Sequence, residues 1–243
     1  MFMEFYLILY DMLNDDDDEL RDLAAAIASW VLSFSSVSLG KTVALGAIPA
    51  SEALADFLAK TYSTSSALFR HAINRVTGTS LYSHNTNQKD RLVALETSLA
   101  EYRMESTVLF EEERQNLFIN DVREIDIWTR ILMRLDATTY DKEMVKYLFD
   151  WTYLGLEHLI GLASSGDDDD VLGWTSKHDV YTLGVRLFSI SSLLIYRDLE
   201  IESVEFGIRA RLSEKLRTLL DIGQAISLHP HWLRRIETAL SGP

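Results

Sequence analysis

The chain contains no cysteine, which removes disulfides, thiolate metal sites and cysteine nucleophiles from its chemistry. It also lacks an Asn-x-Ser/Thr sequon; both absences fit an intracellular protein, and a cytoplasmic one is expected. Proline occurs only at Pro49, Pro230 and Pro243, and eleven glycines are spread over 243 residues. With so few breakers, no convincing alternating run, and periodic stretches rich in Leu, Ala, Glu and Arg, the composition favours an all-α fold over a sheet. The longest uncharged run, Leu23 to Gly40, approaches the length of a membrane span but carries five serines and a one-sided pattern. It reads as a buried repeat helix entering a serine-rich loop. Glu4 precedes the first apolar segment and no basic residue stands ahead of it, so the N-terminus does not read as a signal peptide, and no membrane partner is expected.

Positive charge is scarce and unevenly placed. Residues 1–205 hold 17 Lys+Arg against 34 Asp+Glu, a balance of −17, whereas residues 206–243 hold six against three, a balance of +3. A mostly acidic body argues against DNA as a partner and against tight, independent RNA binding, because affinity for a polyanion grows with the number of phosphates neutralised. The basic end is the part suited to such a contact. Its candidate contact residues are Arg209, Arg211, Lys215, Arg217, Arg234 and Arg235, with Trp232 beside the last two, since a ring and a cation together suit RNA.

What the chain does have is amphipathic helix pairs. Two such segments flank the acidic hinge Asn14–Asp18; in the second, Leu20, Leu23, Ala24, Ile27, Val31 and Leu32 recur at the spacing of one helical face. An aspartate in the hinge can cap the following helix and suits its positive end. Helices follow at Ser51–Lys60 and Ser63–Val76, with Ser51 and Ser63 as N-caps, Pro49 in the preceding loop and Gly78 as the stop. Further helices are expected over 88–105, 107–118 and 121–135, over Tyr140–Ala163 as one helix or a broken pair, over 175–196 capped by Thr175 or Ser176, and over 206–227 and 230–240, with Pro230 at a first turn. The sum is about ten helices in one HEAT/armadillo-like α-solenoid domain, with helix pairs over 1–78, middle helices over 88–163 and C-terminal helices over 175–243. The first pair has no polar capping helix ahead of it, so the expectation is the C-terminal part of a longer array.

Catalytic signals are weak. Gly40-Lys41-Thr42 resembles the end of a phosphate loop, but Ser35 stands where the earlier glycine belongs and no buried strand leads in. His229 and His231 flank Pro230 without a cysteine or an i, i+4 histidine partner, which favours a helix-entry turn over a metal site. The runs Asp15–Asp18 and Asp167–Asp170 lack the spaced ligands, glycine and terminal glutamate of a calcium loop. Glu111, Glu112 and Glu113 read as a charged helical surface. Trp128, Trp151, Trp174 and Trp232 sit in apolar periodic contexts that favour core packing. No catalytic, cofactor-binding or metal residue is assigned, and the chain is not expected to be an enzyme.

Four blocks, Tyr10–Ala25, Leu109–Leu132, Leu172–Leu187 and Leu228–Ile236, resemble in order and spacing the C-terminal region of the THADA family, large helical-repeat proteins. The resemblance implies a non-catalytic regulatory subunit that helps an FtsJ-type tRNA 2′-O-ribose methyltransferase modify the anticodon loop, with S-adenosylmethionine held by that partner enzyme and tRNA as a further partner. The family's central arginine- and serine-containing signature has no counterpart here, so no functional residue is carried over from it. The alternative is a general HEAT-type protein–protein scaffold or chaperone-like adaptor, of the tubulin-folding cofactor type, with no RNA role.

Overall fold

The computed structural model describes residues 2–15, 17–34, 46–78, 111–136, 139–140, 142–165, 178–197, 207–225, 228 and 230–241. Among them are nine α-helices and no strand: α1 Phe2–Leu13, α2 Asp18–Ser33, α3 Ala47–Thr61, α4 Ser66–Thr77, α5 Glu111–Arg134, α6 Lys142–Ser165, α7 His178–Tyr196, α8 Ile208–Ala225 and α9 Pro230–Ser241. None of these helices is long and apolar enough to cross a membrane. The expected helix over 88–105, residues 107–110, the caps Thr175 and Ser176, the Gly40-Lys41-Thr42 motif, Trp174, His229 and the second aspartate run lie outside the described residues.

The helices group into two compact units. The first spans residues 1–69 with 130–139, and in it α1, α2 and α3 all pack on one another. Asp17 caps α2 as its pattern requires: Oδ1 accepts the amides of Glu19 at 2.8 Å and Leu20 at 3.2 Å, and Asp18 and Glu19 place negative charge at the positive helix end. The buried face of α2 is Ala24, Ala25, Ala28 and Leu32, small residues that let helix backbones approach closely. Leu23, expected on that face, is instead 58% exposed. The period alone placed the stripe too far round the helix, because alanine carries less hydrophobic signal than leucine while fitting the contact better. Trp30 and Phe34 are also exposed, at 65% and 74%, and pack edge to face on each other with ring centres 5.0 Å apart.

Three local expectations change in this region. Helix α3 starts at Ala47 after the N-cap position Gly46, so Pro49 lies within the first turn, where a missing N–H costs nothing. Ser51 is consequently interior and buried rather than a cap, and its hydroxyl donates back to the carbonyls of Ala47 at 3.0 Å and Ile48 at 2.9 Å. Ser65, not Ser63, caps α4, accepting from the Leu68 amide at 3.2 Å, while the Ser63 carbonyl accepts from the Asp136 amide at 2.8 Å. Arg130 pairs with Glu52 at 3.5 Å and Arg134 with Asp56 on the same unit's surface.

The second unit spans residues 70–129 with 140–243. In it α6 packs on α7 and α8, α7 on α8 and α9, and α8 on α9. Helix α7 is the centre of this group: from Tyr181 to Ile195 only Arg186 and Ser192 are less than buried. A helix apolar on every side belongs in a core. Helix α5 runs unbroken through residues 118–121, where two helices were expected to meet; with no glycine or proline there, Asn120 and Asp121 cost only a few tenths of a kcal/mol each, about what longer helices absorb. The Tyr140–Ala163 stretch is likewise one helix, α6.

Candidate contact surface of the last two helices

Helix α8 starts after Gly207, whose φ of +116° suits glycine and whose carbonyl accepts from the Arg211 amide at 2.7 Å. Its buried stripe is Leu212, Leu216, Leu219 and Gly223. Arg209 and Arg211 are two residues apart and therefore leave this stripe on opposite flanks. Arg209 turns to α7, where its Nε donates to the Ile195 carbonyl at 2.8 Å, next to the negative end of that helix. Arg211 turns to α6, with its guanidinium carbon 4.6 Å from the Tyr153 ring centre and 5.0 Å from that of Phe149. Lys215, one turn further, stands 4.9 Å from the Tyr153 centre and donates to Glu157 Oε1 at 2.9 Å. The Glu157 carboxylate holds the Lys215 ammonium above the usual lysine range, against a smaller opposing effect of burial.

The other candidates fall elsewhere. Arg217 and Arg234 are exposed, the latter with a long 3.4 Å contact from Nε to the Pro230 carbonyl of its own helix. Arg235 is half-buried and engaged: Nη1 and Nη2 donate to the two carboxylate oxygens of Asp126, each at 2.9 Å. Burial is the largest single influence and opposes the Arg235 charge, but the hydrogen bonds and charge of Asp126, with Tyr181, together outweigh it and the guanidinium pKa rises. Trp232 is fully buried, with Phe188 edge to face at 5.4 Å and Tyr181 at 6.1 Å. A Cβ on Gly184 would lie 2.7 Å from the Trp232 ring, so the absence of a side chain there lets α9 seat its indole against α7. Core packing holds for Trp128 and Trp151 as well. The structure thus brings Arg211 and Lys215 together, separates them from Arg209, and leaves Arg217 and Arg234 facing solvent.

Phe149 and Tyr153, in the aromatic-rich part of α6, are not among the contact residues named from the sequence. The available signal was the matched spacing of two i, i+4 pairs, Phe149/Tyr153 on α6 and Arg211/Lys215 on α8; that these pairs meet is a tertiary fact.

Comparisons with known proteins agree with this helical architecture. A family model, Trm732_C, described as the Trm72 ARM-like repeat region, matches residues 56–242. The tRNA (32-2'-O)-methyltransferase regulator trm732 of Schizosaccharomyces pombe is 29% identical over 198 residues, an alignment covering 78% of this chain and 11% of that protein. The chain therefore spans about a tenth of the length of this curated relative. No solved structure matches. With the family match running from the last turns of α3 on to α9, the chain belongs to the Trm732 ARM-like repeat family, a THADA-type C-terminal region of the α-solenoid class.

Proposed function

We propose that this chain is a non-catalytic helical-repeat part of a tRNA methyltransferase regulator, supporting 2′-O-ribose methylation at position 32 in the anticodon loop by an FtsJ-type partner enzyme in the cytoplasm. The observation that carries it is the similarity, over 78% of the chain, to a protein named as a regulator of that reaction. S-adenosylmethionine would be held and consumed on the partner. Arg217 and Arg234, exposed and outside the Asp126 and Glu157 ion pairs, are the cations of the basic end freest to meet tRNA or the partner. The test is methyl transfer to position 32 by the partner enzyme with and without the regulator that contains this region, comparing wild type with an Arg217→Glu/Arg234→Glu variant. A loss of stimulation in the variant that is largest at low salt and narrows relative to wild type as salt rises supports the reading. Equal methylation with the region deleted would remove it.

A scaffold role has its own support in the exposed apolar residues Leu23, Trp30 and Phe34 of α2. Capture of a protein partner that survives ribonuclease treatment and is lost on Trp30→Asp would assign protein contact to that helix.

A further inference from the structure

The cation–aromatic contact between α8 and α6 is built differently from the other basic positions. Arg235 spends its donors on Asp126, and Arg209 turns to a backbone carbonyl. Arg211 is exposed, makes no ion pair among the described residues, and rests over two rings. Its carboxylate competitors are occupied: Glu157 by Lys215 and Asp150 by Lys146, the latter pair at 2.8 Å. Only Glu214, three residues along α8, is an exposed acid on the same helix turn.

A guanidinium has two faces and an edge of N–H donors. Arg211 stays exposed while it rests over the Phe149 and Tyr153 rings, which leaves part of the guanidinium open to a ligand. The ligand chemistry that uses a flat cationic face together with in-plane donors is an unpaired nucleobase with its adjoining phosphate, the base stacking on the plane and the phosphate meeting the edge. A duplex hides its base faces and offers only the phosphate. We infer that Arg211, held on the Phe149–Tyr153 shelf, is a stacking platform for an unpaired base of an RNA loop. This deepens the tRNA reading above and rests on it.

The test measures binding of two labelled RNAs, a hairpin with an open seven-nucleotide loop and a fully paired duplex of equal length, to the wild-type chain and to variants whose helicity is checked by circular dichroism. Arg211→Lys keeps the charge and loses the plane, so it should weaken the hairpin about tenfold while leaving the duplex affinity and the salt slope near wild type. Tyr153→Leu removes the shelf and should weaken the hairpin in the same selective way, and Glu214→Gln should strengthen both RNAs. If Arg211→Lys retains the hairpin affinity, or weakens hairpin and duplex equally, stacking is overturned and the contribution is charge alone, with the tRNA reading intact. If it leaves RNA binding unchanged but weakens capture of the methyltransferase, the ledge belongs to a protein interface and the inference falls. Absence of binding by the wild-type chain to either RNA overturns the platform, whereas the methylation assay above decides the regulator reading separately.

Discussion

Arg186, the half-buried cation in the largely buried stretch of α7, closes the end of α4: its Nη1 donates to the carbonyls of Arg75 at 2.7 Å and Val76 at 2.8 Å, while its guanidinium carbon lies 2.9 Å from where a Cβ on Gly78 would stand. Two requirements meet at Gly78. Its φ of +71° is the left-handed conformation that ends a helix, and the arginine needs the space a side chain would fill. Gly78→Ala should destabilise the protein by about 1–2 kcal/mol from the backbone alone, with more from the displaced arginine. Arg186→Ala should cost about 1–3 kcal/mol by leaving helix-end carbonyls unpaired. Urea midpoints of both variants and of the double variant check this, and the double variant should fall short of the sum because both act on one contact.

The Arg235–Asp126 pair is bidentate, with 25% and 46% side-chain exposure. Partial exposure discounts its worth, so a double-mutant cycle with Arg235→Ala and Asp126→Ala should give a coupling of about 1 kcal/mol that shrinks with added salt. A coupling of zero at low salt would show that the pair adds nothing to stability.

Trp30 is exposed whereas Trp128, Trp151 and Trp232 are buried. In a Trp174→Phe background, which leaves these four tryptophans, acrylamide should therefore quench the parent protein far more than its Trp30→Phe variant, and Trp30→Phe should change stability by no more than about 0.5 kcal/mol. Equal quenching of the two proteins would mean that something covers α2 in solution.

Burial pushes the Tyr140 phenol above the ordinary tyrosine range, with the Arg197 guanidinium, 4.9 Å over its ring, pulling weakly the other way. A pKa raised in the folded state favours the neutral phenol, so the stability linked to Tyr140 is fully present below the unfolded-chain value of about 10 and is lost as pH rises beyond it. Denaturation midpoints should fall at strongly alkaline pH, and Tyr140→Phe should flatten that fall; tyrosinate absorbance should show one late-ionising group fewer in the variant.

Local chemistry was the part most readable from the chain. The Asp17 cap, the Pro230 start and the Gly78 stop each depend on a residue and its immediate neighbours, and each stands where the pattern put it. Ser51 and Ser63 misled because a serine hydroxyl can cap a helix or bond back into it, and which one occurs depends on where the helix begins. The break expected near residue 120 failed because modest propensity penalties do not stop a helix that has no proline or glycine to stop it.

The sequence by itself determined that this protein is helical, where most helices begin or end, and that its positive charge gathers in the last two; periodicity, capping and charge are short-range properties of a chain. Only the tertiary structure decided that Trp232 is buried against Gly184, that Arg235 is bound by Asp126, and that Arg211 lies over Phe149 and Tyr153 while Arg209 turns the other way. Those outcomes depend on which helices pack together, and contacts between residues dozens of positions apart leave no local mark in the sequence of either partner.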